Sequence, residues 1–129
     1  MINLLFFDYI KEYPKGNPYS EYIHNIVDCL QKHPEINYQS IEPVSEYFFD
    51  TLDKIEPLLL EKDLVLTHPG VLGQDVVLKI WPQLFPKLKI GVLTFNLLKY
   101  QKEPKYKNTE ILDISNIESI IQFVLSAKK

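Results

Sequence analysis

A chain of 129 residues has the size of one domain, and its hydrophobic fraction of 46% and charged fraction of 24% are ordinary for a globular protein. The net charge of −3 and the lack of arginine, the residue best suited to phosphates and guanine edges, argue against a nucleic-acid partner. One cysteine excludes an internal disulfide, and no apolar run has the length of a membrane span, so we expect a cytoplasmic domain without a membrane partner.

The first half of the chain alternates short apolar runs with helical patterns. Ile2 to Phe7 is apolar except for Asn3, which is typical of a strand buried on both faces of a parallel sheet. A Pro- and Gly-containing loop follows over residues 9–18. Apolar residues at helical spacing then predict a helix that ends at Pro34, with its inner face formed by Ile23, Ile26, Val27 and Leu30. Cys29 lies within this pattern, and we expect it to be buried or half-buried.

Two strands and one helix are predicted next. Residues 36–41 alternate in polarity, which indicates a strand near the sheet edge. Ser45 is a candidate cap for the second helix, which Pro57 is expected to kink or end early because proline removes a backbone donor. The apolar run of residues 63–67 predicts the third strand.

The second half continues the same alternation less regularly. Residues 75–81 predict a third helix, stopped by Pro82 and Pro86, with four residues as candidates for burial: Val76, Val77, Ile80 and Trp81. Residues 89–95 predict the fourth strand. The lysine-rich segment 96–108 contains Pro104, so we expect at most a short helix there. Residues 110–114 and 117–127 predict the last strand and the last helix.

Strands that alternate with helices predict a parallel sheet covered on both faces. Five strands in one domain of residues 1–129 favour a three-layer α/β domain of the flavodoxin-like class, with strand order 2-1-3-4-5. In such a sheet, ligands and chemistry lie at the carboxyl ends of the strands. The most informative of these ends is Leu64-Val65-Leu66-Thr67-His68, which precedes a Pro-Gly turn.

Three segments together resemble the receiver domain of response regulators: residues 36–73, residues 91–95 and residues 111–125. The resemblance implies a pocket at the carboxyl ends of the strands. In that family an acidic pair follows strand one, a phosphoryl-accepting aspartate follows strand three, a Thr or Ser follows strand four, and a lysine follows strand five. At the corresponding positions this chain has five residues, of which only Asp8 and Thr94 match: Asp8, Tyr9, His68, Thr94 and Asp113.

The mismatches predict a degenerate pocket. Mg²⁺ prefers oxygen ligands, an imidazole cannot form an acyl phosphate, and a carboxylate at Asp113 would repel a phosphoryl group. The resemblance therefore implies a pseudo-receiver, which has no catalytic residue, metal or cofactor and acts in signal transduction through protein–protein contact.

Two other functions remain open at this point. Asp8, His68 and Asp113 form a possible ligand set for a transition metal or a small ligand, because imidazole and carboxylate suit Zn, Mn or Fe. A stand-alone inhibitor of the immunity or antitoxin type is the other alternative, since small acidic domains without a catalytic signature often have such roles.

Tyrosines suggest where a protein partner, or a second copy of the chain, would bind. Tyrosine is a common interface anchor because it combines a large apolar area with a polar tip. We expect partner contacts at residues 9–22, which contain Tyr13 and Tyr19, or at residues 97–108, which contain Tyr100 and Tyr106.

Overall fold

The computed structural model describes residues 1–8, 18–41, 48–68, 76–100 and 106–127, and the side chains of all of these except residues 8, 18, 19 and 48–52. The strands and helices follow the predicted alternation. In chain order they are β1 (Ile2–Asp8), α1 (Pro18–Lys32), β2 (Ile36–Ile41), α2 (Phe48–Leu59), β3 (Leu64–His68), a π-helix (Val76–Ile80), α3 (Trp81–Leu84), β4 (Lys89–Thr94), a 3-10 helix (Leu97–Tyr100), β5 (Thr109–Asp113) and α4 (Ile117–Leu125).

The five strands form one parallel sheet in the order β2-β1-β3-β4-β5, which confirms the predicted fold. Because successive side chains of a strand point to opposite faces, a strand buried on both sides needs a continuous apolar run. β1, β3 and β4 have such runs and occupy the middle of the sheet. The sheet and its helices make a three-layer α/β domain of the flavodoxin-like class.

One face of the sheet packs against α1 and α4. The buried core on this side joins Leu4, Phe6 and Leu66 of the sheet to the apolar stripes of the two helices: Ile23, Ile26, Leu30, Ile120, Phe123 and Val124. Cys29 points away from this core and is exposed, so the prediction that it is buried was wrong. It lies outside the stripe that Ile23, Ile26 and Leu30 define at helical spacing.

The other face packs against α2, the π-helix, α3 and the 3-10 helix. Ile55, Val77, Leu78, Trp81 and Tyr100 from these elements cover Leu5, Phe7, Val65, Ile90 and Val92 of the sheet. Both faces of the sheet are thus closed by apolar side chains, which leaves the strand ends and the outer helix surfaces for function.

Helical structure after β3 differs from its prediction. The helix continues through Pro82, the second residue of α3, and ends at Leu84, before Pro86. The preceding turn is a π-helix, whose wider turn changes which residues face the sheet. Leu78 is consequently buried, whereas Ile80, predicted to be inside, is half exposed.

Gly91 in β4 shows how closely the α4 layer approaches the sheet. A Cβ atom at this position would lie 2.6 Å from Leu66 Cδ2 and 2.7 Å from Phe123 Cε1. Only glycine leaves room for these two side chains at the middle of the sheet.

Candidate functional site

Strand register places the predicted pocket residues at the carboxyl edge of the sheet. Asp8 of β1 lies opposite His68 of β3, and Thr94 of β4 lies opposite Asp113 of β5. β3 and β4 are neighbours, so the two pairs belong to the same edge. Tyr9 and the side chain of Asp8 lie outside the described part of the chain.

His68 stands at the position of the phosphoryl acceptor in the receiver resemblance. The side chain is half-buried, and this burial lowers the pKa of the imidazole from 6.5 to about 4. The positive charge of Lys99 is the second and smaller cause of this same shift in the pKa. The ring is therefore neutral at physiological pH, so the edge carries no histidine cation there.

Thr94 is the last residue of β4. Its side chain is buried, and Oγ1 accepts a hydrogen bond from the Asn96 N–H at 3.0 Å. Asn96 Oδ1 accepts in turn from the Leu98 N–H at 3.1 Å. The hydroxyl that would contact a phosphate in a receiver is here used to shape the turn that leads to the 3-10 helix.

Asp113 likewise makes local hydrogen bonds at the end of β5. Its Oδ1 atom accepts hydrogen bonds from both the backbone N–H and the hydroxyl of Ser115, at 2.9 and 2.7 Å. This carboxylate stands where the resemblance requires a lysine, and it is shorter than a lysine side chain. Asp113 thus stabilises the turn between β5 and α4.

The strand order also decides how a metal could use these residues. With neighbouring strands about 4.8 Å apart, Asp113 lies roughly 10 Å from His68 and roughly 14 Å from Asp8 along the sheet edge. Zinc–ligand bonds are only about 2 Å long, so one ion cannot bind all three residues. Across the side chains that the structure describes, no group of three or more His, Cys, Asp or Glu residues is arranged for a metal.

Thr67, one residue before His68, was not singled out by sequence reasoning. It is fully buried between Phe7 and Val92 in the strand register. Its Oγ1 atom has no hydrogen-bond partner among the described residues. The only sequence signal was a polar residue inside an apolar strand.

Lys99 was also missed, because it lies in the lysine-rich segment 96–108, for which we expected only a short helix at most. It belongs to the 3-10 helix, and its Nζ atom lies 5.7 Å from the centre of the Tyr100 ring. Its electrostatic effect on His68 brings one positive charge to the carboxyl edge.

The four tyrosines predicted to bind a partner differ in what the structure shows of them. Tyr100 is 6% exposed and packs in the core beneath the 3-10 helix, so it cannot serve as a surface anchor. Tyr106 is half-buried and its hydroxyl accepts a hydrogen bond from Gln83 Nε2 at 3.0 Å. Tyr19 begins α1, but its side chain is not described, and Tyr13 lies outside the described residues.

A different set of apolar side chains is exposed at the carboxyl edge, and we call it the carboxyl-edge cluster: Tyr22, Phe95, Leu97 and Leu98. Phe95 is 51% exposed and Leu98 70% exposed. The Tyr22 and Phe95 rings meet edge to face, with centroids 5.7 Å apart. The sequence signal for three of these residues was the presence of large apolar side chains after β4, but it did not show that they would be exposed.

None of the helices in the described segments combines the length and hydropathy that a membrane crossing requires. Comparison with models of known protein families and with curated protein sequences finds no match. Among solved structures, a chain described as a "putative lipoprotein" fragment of Peptoclostridium difficile 630 is similar, with a TM-score of 0.67 and 16% identity. The match covers 98% of this chain and 97% of that chain, and at this identity it concerns the fold alone.

Proposed function

We propose that this protein is a non-catalytic, receiver-like interaction module that binds a partner protein through the carboxyl-edge cluster. The observation that carries the proposal is the exposure of Tyr22, Phe95, Leu97 and Leu98 in one region. Large apolar side chains grouped at the surface are typical of protein contact sites, and aromatic residues are enriched at the cores of such sites. Tyr22, Leu97 and Leu98 of the cluster belong to the two segments, residues 9–22 and 97–108, where we expected partner contacts.

The polar groups of the same edge support a role without phosphoryl transfer. His68 lacks the carboxylate chemistry of an acceptor, and its imidazole is neutral at physiological pH. The Thr94 hydroxyl and the Asp113 carboxylate already make local hydrogen bonds that hold two turns. No cofactor is part of the proposal.

Incubation with acetyl phosphate and Mg²⁺ tests the absence of acceptor chemistry. We predict that the intact mass of the protein stays unchanged, because no carboxylate stands at the position of His68. A functional receiver domain serves as the positive control in the same tube. A mass gain that hydroxylamine removes would show an acyl phosphate and contradict the proposal.

The partner can be identified by affinity capture from the native host with matched variants. Leu98→Ser removes an exposed leucine from the cluster, whereas Leu60→Ser removes one that is 78% exposed at the end of α2, far from β4's carboxyl end. A genuine partner is retained by the wild type and by Leu60→Ser but lost with Leu98→Ser. Equal recovery with both variants would refute the cluster as the binding surface.

The nature of the captured protein distinguishes signalling from inhibition. A histidine kinase or another signalling protein would support the pseudo-receiver role, and a toxin would support the immunity or antitoxin alternative. We place the module in the cytoplasm, in keeping with a single cysteine in the whole sequence. Fractionation of host cells tests this placement, and recovery with membranes would favour a tethered protein instead.

A further inference from the structure

The opposite edge of the sheet, at the amino ends of β3 and β4, contains a cavity of about 520 Å³. Leu59 and Leu88 lie in its wall and are almost fully buried. Leu60 and Leu84 extend the apolar lining outward, with exposures of 78% and 57%. The cavity is therefore apolar inside and open to solvent, and its volume is in the range of small-molecule sites.

Lysines give the rim of this cavity its charge. Lys62 lies two residues before β3, and Lys87 lies two residues before β4. The first residues of these two strands, Leu64 and Lys89, lie opposite each other, so the two lysines approach the sheet at neighbouring positions. Within the described segments neither lysine has a carboxylate at ion-pair distance, since the pair found there joins Lys32 to Asp28. Two ammonium groups thus stand beside apolar surface without a partner among the described residues.

The other charged residues of the lining are Lys89, Asp63 and Glu61, and the first two make contacts of their own. The Lys89 ammonium lies 4.5 Å from the centre of the Phe123 ring and also contacts the Ser126 hydroxyl. Asp63 Oδ2 accepts a hydrogen bond from the Asn3 N–H at 2.8 Å. Glu61 is an exposed carboxylate on the same rim. Lys62 and Lys87 are consequently the lysines of the lining that remain for an anion.

We propose that this amino-edge cavity binds a small anionic amphiphile, namely a carboxylate with an alkyl chain of medium length. The alkyl chain would cover Leu60 and Leu84, which removes their exposed apolar surface from water. The carboxylate would pair with Lys62 and Lys87. A concave site of this volume suits a small molecule better than a flat bilayer surface. The site is independent of the carboxyl-edge cluster and of the proposed interaction role.

Titration of the full chain with octanoate, followed by NMR of the backbone amides and leucine methyl groups, tests the proposal. We expect saturable shifts centred on residues 59–63 and 84–89, and weaker binding of octanol, which has the same chain without the charge. Shifts centred on the carboxyl-edge cluster, diffuse shifts, or equal affinity for octanol would each overturn the proposal.

Variants separate the two halves of the site. Neutralising both lysines, as Lys62→Gln with Lys87→Gln, should weaken octanoate binding by about five-fold or more, the combined effect expected of two partly exposed ion pairs. Leu84→Asn should weaken binding of octanoate and octanol alike. Lys54→Gln changes an exposed lysine of α2 outside the cavity and should have no effect. If the lysine double variant binds octanoate with unchanged affinity, the assignment of the carboxylate to Lys62 and Lys87 is wrong. Binding of the protein to anionic vesicles without any binding of octanoate would also contradict the proposal.

Discussion

Thr67 and Thr94 are buried threonines near the carboxyl edge, and they differ in their hydrogen bonds. Thr94 Oγ1 accepts from the Asn96 N–H, whereas Thr67 Oγ1 has no partner in the described part of the chain. A buried polar atom without a partner costs about 1–3 kcal/mol, and removing a hydrogen-bonded atom leaves its partner unsatisfied. The same chemical change should therefore have opposite effects at the two positions.

We predict that Thr67→Val raises the free energy of unfolding by about 1 kcal/mol and that Thr94→Val lowers it by about the same amount. Both substitutions replace a hydroxyl with a methyl group at a buried position, so each is the control for the other. Urea unfolding followed by circular dichroism measures both values. Equal losses of stability in the two variants would show that the Thr67 hydroxyl has a partner.

His68 should make the stability of the protein depend on pH. Burial holds its folded-state pKa near 4, below the ordinary value of 6.5, so the unfolded chain binds a proton more readily between these values. The stability that the protein gains by keeping the His68 ring neutral is fully present above about pH 6.5. This stability is lost as the pH falls toward about 4. The slope from this group is at most about 1.4 kcal/mol per pH unit.

We predict that His68→Gln flattens the pH dependence of the unfolding free energy in this window relative to the wild type. An NMR titration of the histidine rings provides a direct check. A His68 ring that titrates near pH 6.5 would contradict the burial we describe.

At the scale of elements, the 3-10 helix after β4 joins the core to the carboxyl-edge cluster. Tyr100 holds the helix against the sheet, and Leu98 of the same turn is 70% exposed. We predict that Tyr100→Ala lowers the free energy of unfolding by about 3 kcal/mol, because it leaves a cavity in the core. Leu98→Ala should change stability by less than about 0.5 kcal/mol. Thermal unfolding of the two variants measures both effects, and similar losses in both would show that Leu98 is packed.

The elements also show which structural features the sequence predicts well. Strands buried on both faces have continuous apolar runs, so β1, β3 and β4 could be recognised and placed in the middle of the sheet. The π-helix could not, because a wider turn changes the helical phase and moves Leu78 inward and Ile80 outward. Tyr100 was misplaced for a related reason: we expected it at a partner contact within residues 97–108, while the 3-10 turn directs its ring into the core.

At the scale of the whole molecule, strand order determines which residues can act together. The alternation of strands and helices predicted that Asp8, His68, Thr94 and Asp113 would share one edge, and the register places them there. The same order puts Asp113 three strands away from Asp8, too far for one metal ion to bind both carboxylates. The exposed cluster could not be predicted from the sequence alone, because exposure of Phe95 and Leu98 depends on how the segment after β4 turns.

Calorimetric titration of the captured partner with the wild type, Phe95→Ala and Leu60→Ala tests the central claim most directly. We predict that Phe95→Ala weakens binding by about 1 kcal/mol or more, as expected for an aromatic anchor, with the melting temperature nearly unchanged. Leu60→Ala, at the opposite edge, should bind as the wild type does. If Phe95→Ala binds with wild-type affinity while Leu60→Ala loses it, the partner uses the amino edge and the proposed interaction surface is wrong.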